Sequence, residues 1–441
     1  MDKPLILKSG FLVKRGAKWK TWKKRWFVFE SKMIYYYKRK TSHTPLGILP
    51  ITKRSKVYIS TQKKIKKKNC FEVDIPGQRI YLISAPSEQE RDGWIAIIQS
   101  VIDSEQRDNL TLKDFKVISV IGRGSYGKVT LVEKNDTHEL FAMKSLQKGK
   151  VLDVRQIEQT MAEREVLMKA KHPFLISLKY SFQDEERLYM VLDYANGGDL
   201  FHHLRKFGKF SLEQVRLYAA ELVLGLDYLH KMDIIYRDLK LENVLLLSDG
   251  HLKITDFGLV KLNVTDKAKG TKTLCGTPEY MAPEIILETG YGKSADWWSL
   301  GILLYEMFVG VPPFFSENTN LLFQKVLKAP LKFPQQVPQD ARDLISKLLQ
   351  RDPSKRIKIA EIKKHSFFSV FDWDKVYRRE TEPVFKPQVD EISDVSNFDE
   401  GFTQEDLSNS VIEVSVMGRV ENNLFKDFSF FGDQDVEKKL K

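Results

Sequence analysis

Two short segments limit this chain more than anything else in it: Tyr236-Arg-Asp238-Leu-Lys240-Leu-Glu242-Asn243 and, thirteen residues after Asn243, Asp256-Phe-Gly258. Taken singly, either aspartate reads as a cap or a turn residue. Taken together, they form a set that the fold must bring to one place. Asp238 can orient and deprotonate an acceptor, and Lys240 can neutralise anionic oxygen. Asp256 and Asn243 offer the carboxylate and amide oxygens that suit hard Mg2+ ions. Downstream, Ala282-Pro-Glu284 and Asp296-Trp-Trp-Ser-Leu-Gly301 extend the ordered set.

Upstream lies Gly122-Arg-Gly124-Ser-Tyr-Gly127-Lys-Val129, whose glycines let backbone N–H groups approach a phosphate closely. By itself this triplet also fits a dinucleotide-binding turn. That fold requires a helix directly afterwards, whereas Lys128 to Glu133 reads as a strand, which suits a hairpin covering phosphates. Seventeen residues after Gly127, Phe141-Ala-Met-Lys144 places a lysine on an apolar strand. It is either a phosphate holder or a solvated strand lysine. The next helix, through Met161-Ala-Glu163-Arg-Glu165, offers a carboxylate to pair with it, with Glu163 preferred and Glu165 as the alternative.

The chain has 441 residues, too many for one ordinary core, and 42% of them are apolar, so several folded units are expected. Residues 5–103 read as strands rich in aromatic and β-branched residues, closed by a helix with a Ser87/Glu90 capping pattern and Trp94, Ile97, Ile98 and Val101 at helical spacing. Residues 104–114 read as a linker. Residues 115–368 read as a strand-rich small lobe followed by a helical large lobe, and residues 369–441 as an acidic, Ser-rich tail ending in an aromatic patch. Only Cys70 and Cys275 are present, so a disulfide framework is not expected. The Met-Asp-Lys-Pro start and the interrupted apolar run Leu300 to Phe315 suggest neither a signal peptide, a myristoyl anchor nor a membrane span. A cytoplasmic location is therefore expected.

Charge is unevenly placed. Residues 1–100 hold 23 Lys+Arg against 7 Asp+Glu, a net +16, and the remaining 48 against 52 give −4. The front domain therefore calls for an anionic partner: a membrane surface, an inositol phosphate or nucleic acid. Lys14, Arg15, Lys18, Lys20, Lys23, Lys24 and Arg25 surround a first hairpin, where they either converge on one anion or form a solvated basic face.

The motif order from Gly122 to Glu284 resembles the eukaryotic protein kinases, and its details, Tyr236 included, are similar to the AGC group. The front and tail segments complete a resemblance to the protein kinase B (Akt) family over the whole chain. It implies a multidomain α+β protein: a pleckstrin-homology sandwich with a C-terminal helix, followed by a bilobal kinase fold. The implied reaction transfers the γ-phosphate of ATP, with Mg2+, to serine or threonine of protein substrates. Asp238, Lys240, Lys144 and Glu163 would be catalytic, and Asn243 and Asp256 would hold metal. Gly122, Gly124, Gly127 and Lys144 would meet the phosphates. Asp193 and Ala195, in the Leu192 to Ala195 hinge, would meet adenine, with Val129 and Ala142 packing on the ring. Asp199 and Glu242 would bind an arginine preceding the acceptor, although most of the group has glutamate at position 199.

A phosphate in the Thr271 to Gly276 segment could pair with Arg237, next to Asp238, and order the loop; the same resemblance assigns phosphorylation to Thr273 and to Ser429 in Phe425-Lys-Asp-Phe-Ser-Phe-Phe431, with Phe398 to Phe402 passing over the nucleotide. Upstream activating kinases are implied. Gln159 stands where the family has a loop-contacting histidine, and Ser410-Val411 where a Thr-Pro turn motif is expected. Lys14, Lys23, Arg25 and Arg79 would bind a 3-phosphorylated inositide, recruiting the protein to the plasma membrane and releasing the front domain's contact with the catalytic domain. Lys23 replaces a family arginine, keeping charge without the bidentate fork. The run Lys63-Lys-Ile-Lys-Lys-Lys68 would add about 1 kcal/mol per near-surface basic residue on anionic lipid, or serve a nuclear pool. A monomer is expected. The rivals are a catalytically inert scaffold, disfavoured because Lys144, Asp238, Asn243 and Asp256 are all present, and a nucleic-acid-binding regulator, suggested only by the basic front half.

Overall fold

The computed structural model describes residues 6–16, 21–30, 32–52, 54–61, 67–107, 110–124, 127–151, 153–264, 271–405, 425 and 428–431. Lys18, Lys20, most of the Lys63 to Lys68 run and Ser410 lie outside these residues. The chain divides into two units, residues 1–110 and 111–441.

The first unit is built from β1 (Ile6–Arg15), β2 (Trp22–Glu30), β3 (Met33–Tyr37), β4 (Gly47–Pro50), β5 (Lys56–Ile59), β6 (Cys70–Asp74), β7 (Ile80–Ser84) and α1 (Glu88–Arg107). The strands form one sheet in the order β4-β3-β2-β1-β7-β6-β5. Alternation puts Leu12, Phe27, Phe29, Ile34, Phe71, Val73 and Ile83 on its buried face. Trp94, Ile98 and Ile102 recur every fourth residue of α1, and each enters the same core. The Ser87 hydroxyl accepts from the Glu90 N–H, as the capping pattern requires. The helix continues to Arg107, into the stretch expected to be linker. Ser104-Glu-Gln-Arg107 contains no residue that stops a helix.

The second unit opens with β8 (Phe115–Gly124), β9 (Gly127–Lys134), β10 (Leu140–Gln147), α2 (Val154–Lys169), β11 (Leu178–Gln183) and β12 (Arg187–Asp193). Its antiparallel sheet runs β11-β12-β10-β9-β8. The helical lobe follows with α3 (Leu200–Phe207), α4 (Leu212–Lys231), the hairpin β13 (Val244–Leu246) and β14 (Leu252–Ile254), α5 (Pro283–Ile286), α6 (Ser294–Val309), α7 (Thr319–Lys328), α8 (Gln339–Leu348), α9 (Ile359–Ile362) and α10 (Trp373–Tyr377), and the tail then returns to the small-lobe sheet with α11 (Glu400–Thr403) against β8. Helices α4 and α6 are buried nearly all round, which is why their apolar pattern is continuous rather than amphipathic. Ser211 and Gln214 close a capping box at the start of α4. The β13–β14 hairpin has Asn243 immediately before it and Asp256 two residues after it, so a three-pair ladder brings the two polar motifs together.

Candidate active site

Strand β10 pairs with β9 and β12 on either side, placing Lys144 opposite Val129 and Met190. Its ammonium donates to Glu163 Oε1 of α2 at 2.7 Å and to Asp256 Oδ1 at 3.0 Å. Burial disfavours this charge, but Glu163 and Asp256 outweigh it and hold the pKa above the ordinary lysine range. Glu163, not Glu165, is the partner. Glu165 bonds Lys169 on the same helix instead.

Asp256 adopts φ 53° and Arg237 φ 70°, left-handed conformations that a non-glycine residue keeps only when its surroundings enforce them. For Arg237 the enforcing group is Asp296. That fully buried carboxylate accepts from the backbone N–H groups of Tyr236 (3.0 Å) and Arg237 (2.9 Å), and it also meets His230 at 2.7 Å. Asp256 is tied in by the Thr255 N–H donating to the Asn243 carbonyl at 2.9 Å and by its own Oδ1 accepting from the Gly258 N–H at 3.3 Å. Lys144 is the main cause that holds its carboxyl below the usual range.

Asp238 is the hub. It accepts from Asn243 Nδ2 at 2.9 Å and Thr277 Oγ1 at 2.9 Å, and Lys240 Nζ lies 3.3 Å away. Lys240 also donates to the Thr277 hydroxyl at 3.0 Å. Asn243 Nδ2 further donates to the Asp238 carbonyl at 2.8 Å, so the amide oxygen is the part of Asn243 left to accept a cation. No group of three or more His, Cys, Asp or Glu side chains suited to a metal occurs among the described residues. Asn243 and Asp256 therefore fit an Mg2+ completed by phosphate oxygens and water rather than an all-protein cage.

The three glycines differ in what they do. Gly124 pairs with Gly127 across the β8–β9 ladder. A Cβ on Gly127 would meet the Ser145 carbonyl oxygen at 1.6 Å, so glycine there is demanded by the neighbouring strand. A Cβ on Gly124 would meet nothing within 4 Å and on Gly122 only Val129 at 3.9 Å, leaving that backbone open to an approaching phosphate. Ala142 faces Leu192 in the ladder and Val129 packs on the same core. The Asp193 carboxylate binds Lys179 at 2.9 Å and Lys253 at 3.3 Å and accepts from the Ser177 N–H, so its side chain is engaged within the protein.

Asp199 caps α3, accepting from the His202 N–H at 2.7 Å. Burial raises its pKa. Glu242 is raised first by desolvation and then by the charges of Asp199 and Asp238. Sequence reasoning missed a third carboxylate, Glu306 of α6. Burial pushes it up to about 7, the Tyr280 hydroxyl donates to it, and Glu242 and Glu279 add repulsion. The signal was present as a glutamate inside the most apolar segment. Three carboxyl groups that resist ionising beside one another are suited to a cation.

The tail also joins this unit. Phe425 and Phe428 are fully buried, while Ser429 is exposed. Ser181 on β11 exchanges backbone hydrogen bonds with Phe430, both 2.8 Å, adding the tail to the sheet edge. Arg164 of α2 donates to the Phe428 carbonyl at 2.8 Å and Gln183 to that of Phe425 at 2.7 Å. Helix α2 is thus held by Lys144 through Glu163 and by the tail through Arg164. Beyond the hinge, Tyr194 stacks on Phe398 and donates to the Asp394 carbonyl at 2.7 Å. Thr273 is exposed, and its carbonyl accepts from Tyr291, whose oxygen in turn takes a bond from Arg237 at 3.3 Å. Arg237 otherwise donates to the Leu259 and Val260 carbonyls, so its link to Thr273 runs through Tyr291.

In the first unit, the ladder pairs Lys14 with Lys23 and Leu12 with Arg25, so all three basic side chains share the face that holds Leu12. Arg79 and Lys14 both lie on the Tyr81 ring, 4.4 and 5.5 Å from its centroid.

Residues 6–103 match the PH domain family, residues 115–368 the protein kinase domain family, and residues 389–430 the protein kinase C terminal domain family. The chain is 40% identical over 439 residues to a RAC family serine/threonine-protein kinase homolog of Dictyostelium discoideum, covering 98% of each. It is 35% identical to RAC-beta serine/threonine-protein kinase B of Xenopus laevis, covering 92% of this chain and 93% of that one. It is also 44% identical to serine/threonine-protein kinase YPK1 of Saccharomyces cerevisiae, over 78% of this chain but only 51% of the yeast protein. With a lysine held by two carboxylates, an aspartate fed by three donors and a tail docked on the small-lobe sheet, the chain belongs to the RAC (protein kinase B) family of AGC serine/threonine protein kinases with an N-terminal PH domain.

Proposed function

We propose that this kinase transfers the γ-phosphate of ATP to serine or threonine in proteins bearing arginine before the acceptor, is recruited to membranes by phosphoinositides, and is activated by phosphorylation of Thr273 and Ser429. The observation that carries the catalytic part is the unbroken chain of contacts Glu163–Lys144–Asp256 together with Asn243–Asp238–Thr277. Asp238 accepts the proton of the substrate hydroxyl while Lys240 faces the transferring group. Lys144 orients the donor phosphates. Asn243 and Asp256 would hold Mg2+, which when bound would neutralise charge developing on phosphate oxygens. Asp199, Glu242 and Glu306 support recognition of arginine. A transfer assay with radiolabelled ATP tests this reading. Peptides with arginine before the acceptor should be preferred by tenfold or more in kcat/KM, about one charge-assisted pair. Indifference to arginine would sink the specificity claim, and absence of transfer the whole reading.

The tail contacts support the Ser429 assignment, since the exposed hydroxyl sits beside two buried anchors. A phosphate on Thr273 would order the loop by pairing with Arg237, which already reaches the Thr273 backbone by way of Tyr291. Membrane recruitment is carried by the cluster of Lys14, Lys23, Arg25 and Arg79, and no helix among the described residues is long and apolar enough to cross a membrane.

Burial first, then Arg79 and Arg25, push the Lys14 ammonium down to about 8. A bound phosphate raises it again, so headgroup binding takes up a proton, and affinity falls as pH climbs through 8 and the free amine becomes neutral. Co-sedimentation with phosphoinositide vesicles should drop severalfold between about pH 7 and pH 9, and Lys14→Arg should flatten the profile, because arginine stays charged there. Arg25→Ala should lose the capture. Retention of RNA instead of vesicles would favour the nucleic-acid rival.

A further inference from the structure

One carboxylate from the tail grips both strands of the glycine-rich hairpin. Glu405 lies just past α11, with Oε1 2.8 Å from Arg123 Nε on β8 and Oε2 3.0 Å from Lys128 Nζ on β9. Its side chain is 19% exposed, well covered for a glutamate at a surface. Arg123 and Lys128 are direct partners across the ladder, one step from the Gly124–Gly127 pair that closes the described part of the hairpin. Like charges directly opposite one another on paired strands repel. The bridging carboxylate converts that repulsion into two charge-assisted hydrogen bonds.

We infer that Glu405 is a latch, a positioning residue through which the C-terminal tail holds the phosphate-covering hairpin together and so sets part of the affinity for the nucleotide. This rests on the reading of Gly122, Gly124 and Gly127 as phosphate cover. The two cations hold the Glu405 carboxyl below its usual range, which keeps the latch charged throughout the neutral range. The opposite arrangement, in which Arg123 and Lys128 themselves bind the triphosphate and Glu405 competes with it, predicts the opposite sign. Removing a latch loosens binding, whereas removing a competitor tightens it.

The test uses the full chain and Mg·ATP itself. Titration calorimetry on Glu405→Gln should give a Kd raised about three- to tenfold, the range of a small exposed ion-pair network. The difference from wild type should shrink at about 0.5 M salt, because the bridge is screened. In parallel kinetics, KM for ATP should rise while kcat stays within about twofold. Arg123→Glu combined with Lys128→Glu should weaken binding as well, and adding Glu405→Arg should restore it, a rescue that a general folding defect would not give. Unchanged or tighter Mg·ATP binding by Glu405→Gln, or failure of the triple variant to recover, overturns the latch. The kinase reading is judged separately, by whether wild type phosphorylates the arginine peptide. A wild type that binds Mg·ATP without transferring phosphate sinks that reading and still leaves the latch decided by Kd.

Discussion

Asp238→Asn should keep its fold and lose about three orders of magnitude in kcat, the scale of a positioned general base. The wild-type carboxylate accepts from Asn243 and Thr277 and has Lys240 beside it. Asparagine is nearly isosteric, but it offers one acceptor oxygen instead of two and turns an amide group toward one of these donors. It also lacks the charge that would take the hydroxyl proton. Stability should fall by only about 1–2 kcal/mol, the cost of one mispaired polar contact, and KM for ATP should change little because Lys144 and Asp256 are untouched. Steady-state phosphorylation of an arginine peptide and a thermal melt measure both. Turnover within tenfold of wild type would remove Asp238 from the chemistry and bring back the inert-scaffold alternative.

Arg356→Ala should destabilise the helical lobe by about 3–5 kcal/mol, the loss seen when one partner of a buried ion pair is removed. Arg356 makes a bidentate pair with Glu284, at 2.6 and 2.9 Å, and both residues are buried. It also donates to the Ser294 carbonyl at 2.8 Å and the Gln350 carbonyl at 3.0 Å. Alanine would leave a carboxylate without its counter-charge inside the protein. Lysine at 356 should recover only part of the loss, since it cannot form the planar fork. Activity should fall beyond the stability effect, because Glu284 anchors the segment carrying Thr277 to the lobe. Urea unfolding followed by far-UV circular dichroism checks the first claim. A loss below about 1 kcal/mol would show that the pair is merely two solvated charges.

Much of the fold was legible because it rests on local rules. Alternation in β1 to β7, the four-residue spacing of Trp94, Ile98 and Ile102, and the Ser87 cap are each properties of a few neighbouring residues. The end of α1 was not legible, since nothing local stops that helix before Arg107. Among the glycines, the sequence suggested one shared purpose, but Gly127 is required by the Ser145 carbonyl of an adjacent strand. The pairing of the Asp193 side chain with Lys179 and Lys253 was not legible either, because both lysines come from other strands.

By itself the sequence determined which residue types can carry phosphoryl transfer and the order in which they occur, because spacing between catalytic groups is a property of the chain. Only the tertiary structure decided their partners. Asp296 reaches back 60 residues to the Tyr236 backbone, Thr277 reaches 39 to Asp238, and Glu405 reaches 277 to Lys128. Such pairs depend on how helices and strands pack, and a side chain that will serve as a buried acceptor looks, in the sequence, the same as one that will face water.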